Sequence, residues 1–174
     1  AGITDAHSTE FVRDGGTPVI SELPEQKRIE QLGGTMRLGG QDVLIEPGTF
    51  AHHIFGATSI RERFRHRYEV EPGVIDRLTN AGMVFSGRHP EHPIMQILEL
   101  PGPGDAPEGV APPYFLSAQF HPELTGRPLR PQPLFMGLVA AAIRRKYPDA
   151  ELPDRWVRTG RAGEKMDRHA SESR

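Results

Sequence analysis

Cysteine is missing from all 174 residues, which excludes disulfides, a thiolate zinc centre and a cysteine nucleophile within the chain. An excess of one charge is missing too: 21 Lys and Arg stand against 23 Asp and Glu, for a net charge of −2. That balance argues against a general nucleic-acid binder or a polybasic membrane binder. No apolar run approaches the ~20 residues that span a bilayer, and no signal peptide opens the chain. A soluble, cytoplasmic protein is therefore expected. The first residue is Ala1 rather than Met, which reads as the mark of a fragment. What is present, 36% hydrophobic residues over this length, suffices to close one modest core.

The 19 glycines and 17 prolines divide the chain into short periodic pieces. Pro18 to Leu23 reads as a short strand, and residues 24–32 as a charged connector before Gly33-Gly34. Thr35 to Leu38 and Val43 to Ile45 are extended runs flanking Gly39-Gly40, the pattern of a hairpin. Pro72 and Gly82 bracket a helix with Val74, Ile75 and Leu78 on one face. Met83 to Ser86, Ile94 to Leu100 and Tyr114 to Phe120 read as strands, with 101–113 a long surface loop. Residues 133–146 form the strongest helix, with Leu134, Leu138 and Ala141-Ala142 on its apolar face and Arg144, Arg145 and Lys146 at its C-terminal dipole. Residues 148–174 turn polar and are expected to be a disordered tail. The division is one domain over 1–147 and a tail over 148–174.

The sharpest local signal is Gln119-Phe120-His121-Pro122-Glu123, at the end of an apolar strand. Pro122 disfavours the helical conformation for His121. In extended chain, residues two apart point the same way, so His121 and Glu123 can meet. A carboxylate there orients the imidazole and stabilises its protonated form, which is the base-plus-orienter half of a nucleophilic triad. A strand-end turn holding an ordinary histidine fits the same spacing, and the residues alone leave both readings open.

The same five residues resemble the His–Glu half of the triad in class I glutamine amidotransferases. Three further segments are similar to the CTP synthase family in order and approximate spacing: Ser8-Thr9-Glu10-Phe11, Gly33 to Gly39, and Arg65 to Val70, joined by the helix that begins Pro133-Leu134-Phe135. The resemblance spans roughly residues 1–147. It implies an α/β, flavodoxin-like amidotransferase domain, of which this would be the C-terminal, strand-rich portion. It further implies glutamine hydrolysis supplying ammonia for amination of UTP to CTP, with ATP and Mg²⁺, and with GTP as activator. By the same resemblance His121 and Glu123 are the catalytic pair, Glu10 and Arg67 bind glutamine, and Arg37 sits in a lid tied to GTP. No cofactor or metal is expected on this portion itself. The implied partners are a synthetase domain and the first half of the amidotransferase domain, in a homotetramer. The family's cysteine nucleophile is expected upstream of Ala1. Phe64 and His7 depart from the family, which commonly has histidine and asparagine there. Two rivals stay open: another class I amidotransferase, and a non-catalytic truncated remnant.

In extended conformation Ile60 to Val70 places Arg61, Arg63, Arg65 and Arg67 on one face, ~6–7 Å apart, as a positive wall suited to small anions. Ile60, Phe64, Tyr68 and Val70 take the other face, with Glu62 and His66 between. No aromatic platform for nucleic acid shares the arginine face. His52-His53 and the His89, His92 pair lie in loop-like stretches without acidic partners at ligand spacing, and read as surface residues rather than metal ligands.

Overall fold

The computed structural model describes residues 1–12, 14–22, 37–102, 111–153 and 156, with the backbone alone at Arg37. Two sheets organise them. Ala6–Ser8 (β1), Thr17–Ser21 (β2) and Glu69–Val70 (β5) form the smaller, in the order β1-β2-β5, with β1 parallel and β5 antiparallel to β2. The larger sheet is antiparallel throughout. It comprises Arg37–Ile45 (β3), Ser59–His66 (β4), Val84–Arg88 (β6), Met95–Glu99 (β7) and Leu116–Ala118 (β8), in the order β4-β3-β6-β7-β8. Phe50–Phe55 (α1), Ile75–Asn80 (α2) and Pro133–Lys146 (α3) complete the described α-helices.

The core lies where α1 and α3 meet the larger sheet. Val43, Ile45, Phe64, Ile97 and Phe120 supply the sheet side, and Phe50, Ala51, Ile54, Leu134 and Ala140 the helix side. A six-residue helix is too short to be stable by itself, and α1 is held from outside. The carboxylate of Glu99, 2% exposed at the end of β7, accepts from the N–H groups of Phe50 (2.9 Å) and Ala51 (3.0 Å). Thr49 caps the same end by accepting from His52 N–H, and Gly56 ends the helix in the left-handed region at φ 65°. An anion at a helix N-terminus meets both unsatisfied donors and the dipole's positive end.

Several expectations change in detail. Gly39-Gly40 does not turn a hairpin: β3 runs through it as one nine-residue strand, paired with β4 from Arg37↔His66 to Leu44↔Ser59. Gly39 stands at φ 89°, a conformation open to glycine at little cost, and the continuous partner strand removes any reason to fold back. The connector 24–32 and the residues Gly33 to Met36 of the expected lid lie outside the described residues. The helix after Pro72 starts as a 3₁₀ turn, Pro72–Val74, before α2. The strand expected from Tyr114 shortens to Leu116–Ala118.

Helix α3 occupies its expected span but turns a different face inward. Gly137 and Ala140 are buried beside Leu134, whereas Phe135, Leu138 and Val139 are about half exposed. Small residues let the helix come close, and Tyr114 is what it approaches. Its hydroxyl donates to the Leu134 carbonyl at 2.8 Å, and a Cβ on Gly137 would fall 2.8 Å from the Tyr114 ring. Packing also continues past the expected domain end at residue 147, because Leu152 and Trp156 join the core. Residues 157–174 lie outside the described residues.

The tightest approach in the sheet is at Gly87 on β6, where an added Cβ would lie 2.5–2.8 Å from three side-chain atoms of Ile97, itself 1% exposed. Gly87→Ala should therefore destabilise the fold by ~1–3 kcal/mol through overpacking. Urea denaturation checks this, and Gly87→Ala with Ile97→Val should recover part of the loss.

Candidate active site

His121 follows directly from Phe120, and Phe120 is what fixes it. The Phe120 ring, 2% exposed, stands edge-on to Phe64 at 5.9 Å and to Phe55 at 6.3 Å. Gln119, one residue earlier, receives the chain from β8: its N–H donates to the Gln96 carbonyl and its side-chain amide to the Tyr68 carbonyl. Beyond Phe120 the His121 N–H donates to the Arg63 carbonyl at 2.9 Å. The motif is thus anchored at its start to β7 and to the β4–β5 bend, and at its histidine to β4.

His121 Nδ1 lies 2.8 Å from Glu123 Oε1. The route to that contact differs from the extended chain expected. His121 is extended, at φ −100° and ψ 93°, but Pro122–Leu124 is a 3₁₀ turn. The turn, rather than strand alternation, swings Glu123 back onto the imidazole. With the carboxylate facing Nδ1, the Nδ1–H tautomer is favoured and the Nε2 lone pair is left for a substrate proton. Both side chains remain partly solvated, at 37% and 57% exposure. Glu123 is nonetheless held below the usual carboxylate range, first by its own backbone N–H, then by the hydrogen bond from His121, with His121 and Arg65 adding favourable charge.

Arg67 sits at the bend where the chain leaves β4 for β5, and so at the junction of the two sheets. The bend is pinned by His66 Nε2, 3.0 Å from Glu69 Oε1, with Glu69 fully buried. Arg67 Nε faces Glu22 Oε1 at 3.8 Å. Because Gln119 holds the Tyr68 carbonyl, the Arg67 bend and the His121 strand are joined one residue from Arg67 and two from His121. Glu10 is exposed on the turn after β1 in the smaller sheet, with its N–H bonded to Ser8 Oγ at 3.3 Å. No hydrogen bond or ion pair brings its carboxylate to Arg67 or to His121 in this arrangement. Arg37 opens β3 opposite His66; its side chain is not among those described.

The four arginines do not act as one wall. Alternation along β4 exposes Arg61, Arg63 and Arg65, but each meets something different. Arg61 pairs with Asp42 at 2.9 Å and donates to the Gly40 carbonyl, Arg65 acts on Glu123, and Arg67 has turned toward Glu22 at the bend. Arg63 lines a cleft of about 880 Å³ together with Arg127, Arg130, Leu124, Thr125 and Trp156. None of His121, Glu123, Glu10 or Arg67 lines it. Glu62, between Ile60 and Phe64 on the face opposite the arginines, is 7% exposed and in phase with Phe64 on the buried side. Burial raises its pKa, opposed by hydrogen bonds from Thr125 and Gln132 and by the charge of Arg130. The two-residue period from Phe64 carries that information in the sequence, and a carboxylate in phase with a buried aromatic is the signal that finds Glu62. The His89 and His92 rings lie 4.7 Å apart, tilted by 33°, and among the described residues no three His, Asp or Glu side chains are grouped to hold a metal ion.

Comparison with known proteins gives a consistent result. The family model for class I glutamine amidotransferases matches residues 10–141. Among curated proteins, the CTP synthase of Thermococcus kodakarensis is 45% identical over 147 residues, covering 84% of this chain and 26% of that protein. The CTP synthase of Halobacterium salinarum is 49% identical over 144 residues, covering 83% and 24%. The chain thus spans about a quarter of the length of these relatives. A solved Trypanosoma brucei CTP synthase glutaminase domain with bound acivicin superimposes with a TM-score of 0.70 at 28% identity, over 88% of this chain and 55% of that one. With its α/β fold, its His121–Glu123 pair and these matches, the chain belongs to the class I glutamine amidotransferase family.

Proposed function

We propose that this chain is glutaminase machinery of a CTP synthase, hydrolysing glutamine to release ammonia for the ATP-dependent amination of UTP to CTP. The observation that carries this reading is the 2.8 Å His121–Glu123 contact on an anchored turn, in a chain whose relatives are CTP synthases. The chain contains no cysteine, so the nucleophile must come from sequence outside it, and the chain by itself is expected to be inactive.

The chemistry then divides among named groups. His121 Nε2 takes the thiol proton of the incoming cysteine, and the thiolate attacks the glutamine γ-carboxamide carbon. The C–N bond breaks as the imidazolium returns its proton to the nitrogen, releasing ammonia and leaving a thioester. Nε2 next deprotonates water, which attacks the thioester; glutamate leaves and the thiol recovers the proton. Glu123 stabilises the imidazolium in both halves and holds the ring in orientation. Arg67 and Glu10 would bind the glutamine's charged ends. For Arg67 this requires exchanging its long contact with Glu22 for the substrate carboxylate. Arg37, at the start of β3, would relay GTP activation. Mg²⁺ and ATP would be bound by the part of such an enzyme that this chain does not cover. The same holds for the synthetase partner domain and for homotetramer formation. A cytoplasmic location accords with this reading, and no described helix is long and apolar enough to cross a membrane.

In a full-length enzyme carrying this segment, His121→Ala should lower glutamine-dependent CTP formation by at least about a hundredfold and leave ammonia-dependent formation near wild type. Parallel assays with the two nitrogen sources check it, and equal loss of both would assign His121 a structural role. Arg37→Ala should flatten the GTP activation curve of the glutamine-dependent reaction and spare the ammonia-dependent one. The electrostatics of the pair can be read in the 174-residue chain itself. A lowered folded pKa means that Glu123 contributes stability above the ordinary carboxylate range and loses it as pH falls through its folded value. ¹³C-carboxyl NMR should find its midpoint below the usual glutamate value, and His121→Ala should move that midpoint upward.

A further inference from the structure

The turn that carries His121 and Glu123 is partly solvated, makes few contacts of its own, and yet must hold an imidazole in one orientation. Its internal bonds are local: Leu124 N–H to the His121 carbonyl, and the Thr125 and Gly126 N–H groups to the Pro122 carbonyl. Such bonds shape a turn but do not say where it points. Orientation requires attachment to the sheet, and two neighbouring residues of β4 supply it. The Arg63 carbonyl accepts from the His121 N–H at the front of the turn. At the back, Glu62 Oε2 accepts from the Thr125 hydroxyl at 2.7 Å.

The other oxygen of Glu62 is engaged as well. Oε1 accepts from Gln132 Nε2 at 2.8 Å, and Gln132 Oε1 in turn accepts from the Leu134 N–H at 2.9 Å, capping α3. Gln132 is 3% exposed. One buried carboxylate therefore closes both ends of the 126–131 loop, whose own short hairpin, Arg127 bonded reciprocally to Arg130, reaches no further than itself. A charged group is costly to bury unless each oxygen is matched by a donor, and here both are matched by uncharged donors that belong to the segment following the catalytic pair. A leucine at 62 would leave both the Thr125 hydroxyl and the Gln132 amide without their shared acceptor.

We infer that Glu62 is a positioning residue for the His121–Glu123 pair, holding the turn from Thr125 while it locks the start of α3 through Gln132. Removing its grip leaves the turn hinged on the single His121 N–H bond, so that the imidazole and carboxylate lose their fixed relation without any change in either. The inference rests on the glutaminase reading for its catalytic meaning, but the positioning itself is a property of this chain.

The test uses the intact 174-residue protein and reads the pair directly. Glu123 faces His121 and Arg65, and its low carboxyl midpoint depends on the turn presenting its backbone N–H and His121 correctly. In Glu62→Leu, and separately in Thr125→Val, the Glu123 midpoint measured by ¹³C NMR should rise. Thr125→Val leaves the Gln132 bond in place, so it isolates the turn from the helix. The double variant Glu62→Gln with Gln132→Glu restores every donor–acceptor match: residue 132 still accepts from Leu134 N–H and now accepts from the amide at 62, whose oxygen still receives the Thr125 hydroxyl. It should return the midpoint to its wild-type value. Unchanged midpoints in both single variants would overturn the inference. So would a shift that the double variant fails to rescue although its thermal melt matches wild type. Because the readout needs no turnover, it separates from the functional reading. A brace that passes in a chain whose full-length enzyme releases ammonia from glutamine equally well with and without His121 sinks that reading alone.

Discussion

The contact on which the arrangement depends is the packing of Phe120 against Phe64. An edge-to-face pair of this kind contributes about 0.5–1.5 kcal/mol beyond the area it buries, but its main consequence is geometric. Phe64 lies in the middle of β4, directly after Glu62 and Arg63, so seating Phe120 there delivers the next residue, His121, to the Arg63 carbonyl and the following turn to Glu62. Alternation along one strand thus serves two purposes. Its buried face receives the catalytic segment, and its exposed face carries arginines that act on Asp42 and on Glu123.

Buried acids in this protein follow a common rule. Glu62, Glu69 and Glu99 are each at most 7% exposed, and each has a partner that is a backbone amide, an uncharged side chain or an imidazole. Glu99 is satisfied by two helix N–H groups, Glu62 by a hydroxyl and an amide, and Glu69 faces the imidazole of His66. Each therefore connects two elements: β7 to α1, β4 to the turn and α3, and the two ends of the β4–β5 bend. Desolvated carboxylates tolerate this only when their donors are fixed, so each of these sites reports that two elements have docked correctly.

Much of this was legible in the residues, for identifiable reasons. Helix α3 was bounded to the residue by Pro133 and the basic run at 144–146, and the pairing of His121 with Glu123 followed from their spacing across Pro122. What the residues did not reveal was tertiary. Small residues Gly137 and Ala140 face inward because Tyr114 is waiting there, and no period within α3 carries that fact. The hairpin expected at Gly39-Gly40 failed because a long partner strand, β4, pairs continuously across it. The extended link from His121 to Glu123 gave way to a 3₁₀ turn, although both routes bring the side chains together. Glu10 illustrates the remaining limit: a resemblance assigns it to the substrate, and the fold leaves it exposed on the turn after β1 with no described bond of its carboxylate to Arg67 or His121.

Trp156 is the only indole in the chain, against three tyrosines, and it lies 7% exposed where the last described segment folds back onto the core. It also forms part of the wall of the arginine-lined cleft. The chain's single indole therefore sits at the place where the segment around residue 156 joins the body. Selective excitation of that indole follows the docking of this segment separately from the rest of the fold, and quenching by iodide, an anion drawn to the neighbouring guanidinium groups, measures how far the cleft admits solvent.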